Sequence, residues 1–276
     1  MNKIPVLMYH QCGPLDSASD GFSVSQEMFR AQMEYLHHNG FVGVSLQRLF
    51  AEQEYIKGEA SATGKGAVHP EELTGDTRKK VVLTFDDGDK SHFDSVFPVL
   101  KSLGFTATFF VTVNDIGKEG RMDWTMIYDL SKNGMDIGSH GMSHSFFPGQ
   151  ASYVVLNEFL LSKQILEKYT RKRVNFISIP HGFYNKQILT IARDAGFKSV
   201  CVSDAGYIQM DNDLFLVKRF TVRRKYAMAA FRSIVAGNPG FFLNLMENIR
   251  SFLRHALGYQ VYDRACKLAG KQAVKQ

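Results

Sequence analysis

Short apolar runs rich in β-branched and aromatic residues alternate along this chain with segments whose apolar residues recur every three or four positions. Strands are predicted at Ile4–His10, Phe41–Ser45, Lys80–Phe85, Thr106–Val111, Met135–Gly138, Val174–Ser178, Phe197–Val202 and Leu214–Val222. Between them, helices are predicted at Ser25–Asn39, after the strand Phe41–Ser45 as a short helix through Phe50, over the stripe Phe93, Val96, Phe97, Leu100 and Leu103, and at Trp124–Asn133, Ser152–Tyr169 and Lys186–Ala195. Ser25 is a suitable N-cap, and Gly40, Gly104, Gly134 and Gly196 stand where helices should stop. Such alternation implies a parallel sheet, either open or closed as a (β/α) barrel. Two segments break the rhythm. Residues 52–79 are polar, Gly/Ala-rich and aperiodic, the pattern of an exposed, mobile insertion. After Asn238-Pro239-Gly240 the chain turns to a helical tail, so residues 1–237 read as one domain and 238–276 as an appendage.

The chain has 276 residues, 45% hydrophobic and 22% charged, ordinary for a single barrel with a sizeable core. Its net charge of +6 comes without a Lys/Arg run of the kind that binds nucleic acid. Cys12, Cys201 and Cys266 are odd in number and scattered, without disulfide or CxxC spacing. MNKIPVLMYH passes directly into a strand without the apolar region of a signal peptide, which favours a cytoplasmic location. No uncharged apolar stretch of about 18 residues or more is present.

Two segments carry chemistry. Thr84-Phe85-Asp86-Asp87-Gly88 places adjacent carboxylates at a strand end, pointing different ways, before a glycine that permits a tight turn. Alone, it equally describes an acidic helix cap. Ser139-His140-Gly141-Met142-Ser143-His144 puts two imidazoles four residues apart, on one face if the backbone is helical. Both segments follow strands, and ligands of parallel α/β folds collect at the C-terminal strand edge. Asp87, His140 and His144 together form a two-histidine, one-carboxylate set that leaves coordination positions open, as catalytic metal sites do.

TFDDG, HGMSH and Ala107–Val111 (ATFFV) resemble the polysaccharide deacetylases of the NodB-homology group, carbohydrate esterase family 4, over roughly residues 4–222. The VLMYH opening resembles the biofilm-polysaccharide branch of that family. The resemblance implies a distorted (β/α) barrel with a C-terminal helical tail. It implies that Asp87, His140 and His144 bind a divalent ion, zinc first, with nickel, cobalt or manganese as alternatives, and that Asp86 is the general base.

The sequence also departs from the family pattern. Where an arginine usually orients the base, Ser178-Ile179-Pro180-His181-Gly182 has Ser178, and His181 replaces an aromatic residue. Where a general-acid histidine is usual, Leu216-Val217-Lys218-Arg219 has none. His10, at the end of the first strand, is the first candidate for the acid and His181 the second; a packing role competes for each. Arg219 either holds Asp86 ionised in place of the missing arginine or is one more solvated base beside Lys218, Arg223, Arg224 and Lys225. The tail places Phe242, Leu245, Met246, Ile249, Phe252, Leu253 and Leu257 on one stripe flanked by Arg250, Arg254 and His255. That face suits either the domain, a partner subunit or an anionic membrane surface.

The expected activity is metal-dependent removal of an N-acetyl group from a sugar, in a polysaccharide or a lipid-linked precursor at the inner membrane face. Competing readings are hydrolysis of a small non-sugar amide or imide, and a glycan-binding relic without catalysis.

Overall fold

The computed structural model describes residues 3–14, 21–58 and 78–256. A parallel sheet is built from Ile4–Tyr9 (β1), Lys79–Phe85 (β3), Thr108–Val111 (β4), Asp136–Ser139 (β5), Phe176–Ser178 (β6) and Ser199–Val202 (β7), neighbours in that order. Phe41–Val44 (β2) adds to β3, and Tyr207–Ile208 (β8) runs antiparallel to β1.

The expected strand at Leu214–Val222 is two strands. Leu216–Lys218 (β9) pairs with β7, and Phe220–Thr221 (β10) pairs with β1. One short segment thus bonds to both ends of the sheet, and the sheet is a nearly closed (β/α) barrel. Arg219 is the residue at the switch. Adjacent residues in extended backbone point to opposite faces, so a change of partner between Lys218 and Phe220 sends Arg219 inward while Lys218 stays exposed.

Strands buried on both faces read as continuous apolar runs, and β1 is buried at every position. On the helix-facing side of the sheet Tyr9, Phe85 and Phe109 stack in series, with ring centroids 5.3 and 4.8 Å apart, and Phe29 packs edgewise on the first two. Each fully buried aromatic or aliphatic side chain contributes about 1.5–3 kcal/mol. Outside pack Gln26–His38 (α1), Leu46–Ile56 (α2), Phe97–Ser102 (α3), Trp124–Lys132 (α4), Ser152–Thr170 (α5), Lys186–Asp194 (α6) and Met228–Val235 (α7). Ser25, Ser45, Asp123 and Asn185 cap α1, α2, α4 and α6 by accepting a backbone N–H of the first turn.

Several boundaries differ from the sequence reading. Helix α2 continues to Ile56, because Gln53 is buried and its amide donates to the carbonyls of Met210 and Asn212. Residues 52–56 therefore belong to a helix rather than to the insertion, and Lys79 already belongs to β3; the intervening 59–77 lie outside the described residues. The helix expected around Phe93 opens as one wide π-type turn, His92–Val96, before α3. The tail is helical over Phe241–Ala256 (α8). Its side chains Phe242, Leu253, Arg254 and His255, together with Leu257 and Cys266, fall outside the described set. Cys12 and Cys201 are free and buried.

Candidate active site

β3 delivers the two carboxylates. The Asp86 N–H still bonds to the Tyr9 carbonyl (2.9 Å), so the strand continues through Asp86. Asp87 then turns left-handed at φ +75°, followed by Gly88 at +71°. A non-glycine residue in this region stores strain of order 1–3 kcal/mol. The turn divides the pair: Asp86 is buried, whereas Asp87 keeps part of its carboxylate at the surface.

Asp86 is fully engaged. Arg219 donates from Nη1 to Oδ1 and from Nη2 to Oδ2, both at 2.8 Å, and Ser178 Oγ donates to Oδ2 at 2.9 Å. The guanidinium is held in turn by Ser178 Oγ (2.8 Å), Thr84 Oγ1 (3.2 Å) and the Val202 carbonyl (3.1 Å). Burial alone would raise the Asp86 carboxyl, but the charges of Arg219 and His140 outweigh it and hold the group below the ordinary carboxylate value. Of the two readings of Arg219, the structure excludes the solvated one, since its side chain is fully buried. The signal missed in the sequence was Ser178. Read there only as a lost arginine, it hydrogen-bonds both members of the pair.

Asp87, His140 and His144 come together, with one ligand-type atom from each lying within 4.8 Å of the others. Asp87 Oδ1 is 3.2 Å from His140 Nε2 and 3.3 Å from His144 Nε2. The segment linking the histidines is a loop and not a helix: Gly141 has φ +77° and His144 has φ +56°. The helical face suggested by the four-residue spacing is corrected accordingly. His140 Nδ1 lies 2.8 Å from the Ser178 carbonyl, which can only accept, so Nδ1 carries a proton. In the neutral ring the Nε2 lone pair then faces the Asp87 carboxylate, and two acceptors at this distance require a cation or a proton between them. Burial would lower the His140 ring, yet the contacts with Asp87 and Asp86 raise it. For Asp87, burial is overcome by hydrogen bonds to both rings, and its carboxyl falls well below the usual range. The trio therefore fits a divalent cation.

His10 and His181 flank this cage. His10 follows β1, packs against Phe22 with centroids 5.1 Å apart, and lies close enough to lower both Asp86 and Asp87. Its buried Nδ1 has no hydrogen-bond partner among the described residues. His181, at φ +61°, stacks edgewise on His144 at 4.6 Å. Burial, then the charges of His144 and His140, lower its pKa to about 4. Asp87, His144 and His181 are three of the four non-glycine residues with positive φ among those described. Strain thus concentrates at the C-terminal barrel edge.

The tail reaches the same edge. Ser251 of α8 donates to Asp204 Oδ1 (2.8 Å), Tyr184 donates to Oδ2 (3.2 Å), and the Asp204 carbonyl accepts from the Arg219 backbone (2.7 Å). Tyr226 donates to Glu247 (2.7 Å), which also pairs with Arg250. A cavity of about 740 Å³ lined by Lys3, Lys79, Lys80 and Gln209 contains none of these residues.

Residues 74–200 match the polysaccharide deacetylase family. The Bacillus subtilis protein YxkH is 27% identical over 233 residues, 84% of this chain and 76% of that protein. The poly-β-1,6-N-acetyl-D-glucosamine N-deacetylase of Staphylococcus aureus is 23% identical over 192 residues, 64% of this chain and 60% of its own length. Among solved structures, the Streptococcus pyogenes deacetylase PplD in complex with acetate superposes with a TM-score of 0.71 at 22% identity. It covers 84% of this chain and 98% of that one, and shows the same fold.

Proposed function

The chain carries a polysaccharide deacetylase domain, and from that premise we propose that it hydrolyses the N-acetyl group of an N-acetylated sugar with the help of a divalent metal ion. The observation that carries this reading is the Asp87–His140–His144 cage standing beside a buried, arginine-clamped Asp86. Zinc suits two imidazoles and a carboxylate with positions left open; nickel, cobalt or manganese would meet the same donors. When bound, such an ion supplies Lewis acidity to the acyl oxygen and to water.

The chain's own groups divide the remaining work. Asp86, kept ionised by Arg219, takes a proton from the attacking water. The C–N bond then breaks, acetate departs, and the sugar nitrogen leaves as an amine once it has gained a proton. His10 is suited to give that proton. His181 is neutral near pH 7, with its pKa at about 4, and a neutral imidazole has no extra proton to hand over. His181 instead suits a position lining the substrate groove.

The substrate is an N-acetylated glycan, either a polysaccharide or a lipid-linked precursor. Helix α8 supports the second form. It turns Glu247 and Ser251 toward the barrel while Leu245, Ile249 and Phe252 are 41%, 44% and 69% exposed. A helix latched by polar contacts with an apolar stripe outward suits an interfacial position at a membrane.

The test is an acetate-release screen against defined N-acetylated oligosaccharides, alongside small amides and cyclic imides, with zinc-loaded and chelator-stripped protein. Zinc-dependent acetate release from the sugars is the expected result. Turnover of an imide alone would assign the fold to small amides, and binding of the sugars without metal or turnover would make the chain a glycan-binding relic.

A further inference from the structure

The two histidines of the cage are separated by Gly141, Met142 and Ser143, a segment without regular hydrogen bonding of its own. Its backbone donors nevertheless have partners. Gly141 N–H donates to Ser139 Oγ (3.1 Å). Met142 N–H and Ser143 N–H both donate to one oxygen, Glu158 Oε2, at 2.8 and 3.0 Å. Ser143 Oγ donates to the other, Oε1, at 2.6 Å. Glu158 stands on α5, so a residue of the outer helical layer grips the loop from behind with three hydrogen bonds. Two successive N–H groups converging on one anion form a small anion-binding nest, and hydrogen bonds to an ionised acceptor are about twice as strong as neutral ones. The loop needs such a grip, because it holds Gly141 at φ +77° and His144 at φ +56°.

We propose that Glu158 is a positioning residue for the metal: by clamping Met142 and Ser143 it presets the distance and orientation of His140 and His144 without touching the ion. The inference rests on the metal reading above. Without the clamp, the chain between the two ligands must be ordered when the ion binds, and that ordering subtracts from affinity. Outer partners that orient metal ligands contribute about 10–100-fold to metal affinity.

The experiment measures zinc dissociation constants by competition with a chromophoric chelator, using the full chain and its Glu158→Ala, Glu158→Gln and Glu167→Gln variants. Glu167 is a fair control because it lies on the same helix and accepts the Val174 N–H (3.0 Å), away from the cage. Glu158→Ala should weaken zinc binding about 10–100-fold. Glu158→Gln keeps a carbonyl acceptor and the side-chain shape, so its loss should be smaller, and it serves if the alanine variant fails to fold. Glu167→Gln should bind zinc as the wild type does. At saturating zinc, kcat of the Glu158 variants should return to the wild-type value with KM unchanged, as expected of a residue acting through occupancy. Wild-type zinc affinity in both Glu158 variants overturns the proposal while leaving the deacetylase reading intact. A wild-type chain that binds neither zinc nor nickel, cobalt or manganese overturns both.

Discussion

Arg219 meets both carboxylate oxygens of Asp86 at 2.8 Å, and the same residue stands at the switch where the chain passes from β9 to β10. Closure of the barrel and ionisation of the base are thus joined in one side chain. Removing one partner of a buried pair leaves an uncompensated charge, at a cost of about 3–5 kcal/mol. Arg219→Met should lose stability on that scale, read by urea unfolding. It should also move the acidic limb of the rate profile to higher pH, because Asp86 loses the charge that depresses its pKa. The sign of the stability effect follows from the same shift. In the wild type the pair's contribution is complete above the ordinary carboxyl range and is lost as pH falls through the depressed value. In the variant a lone buried carboxyl favours its protonated form, so stability should fall as pH rises.

Asp86→Asn tests the base directly. The cage consists of Asp87, His140 and His144, so metal content should stay at the wild-type level while kcat falls by about 10²–10⁴. Near-normal turnover would show that another group accepts the proton.

The barrel and the cage were legible because each rests on a local pattern. Apolar runs such as Val81–Phe85 and Phe109–Val111 announce buried strands, and the carboxylates and histidines sit immediately after strands β3 and β5. What could not be read depends on contacts distant in sequence. The split of residues 214–222 is set by β7 on one side and β1 on the other. The burial of Arg219 follows from that split, since Asp86 lies 133 residues earlier in the chain. The HGMSH spacing was suggestive of a helix, but two positive-φ residues and the grip of Glu158 make it a loop.

Strain at Asp87 gives a prediction of opposite sign for stability and function. Asp87→Gly removes the left-handed penalty at φ +75° together with the carboxylate. The metal-free variant should melt no lower than the wild type, yet it should lose zinc binding and activity. Retention of zinc at wild-type affinity would remove Asp87 from the cage. His144→Ala should also lose zinc, without the gain in melting temperature.

The exposed stripe of α8 predicts a split between two assays. Ile249→Glu combined with Phe252→Glu places charges on residues that point away from the barrel. Co-sedimentation with vesicles containing anionic lipid should drop sharply. Acetate release from a soluble oligosaccharide should stay near the wild-type rate, because the latches Ser251–Asp204 and Tyr226–Glu247 are untouched. Equal sedimentation of variant and wild type would leave the stripe without a membrane role.

In the proposed reaction the leaving amine needs a proton, and we assign that role to His10 rather than to His181. Arginine keeps its proton near neutral pH, so Arg219, standing where the family usually has its acid, cannot serve. His181 lies within reach of the cage, but burial and two neighbouring rings lower its pKa to about 4, so it enters the reaction neutral. His10 directly follows β1 at the same edge, close enough to act on both carboxylates, and its buried Nδ1 has no hydrogen-bond partner among the described residues. An imidazole is a side chain able to hand a proton to a departing amine. Expulsion of an unprotonated nitrogen is slow, so the loss should fall on kcat far more than on KM. The measurement is the pH–rate profile of wild type, His10→Ala and His181→Ala on one N-acetylated sugar. His10→Ala should lose most of kcat and the alkaline limb, whereas His181→Ala should keep the limb and change mainly KM. A collapse of kcat confined to His181→Ala would transfer the acid role to that residue and leave His10 as packing against Phe22.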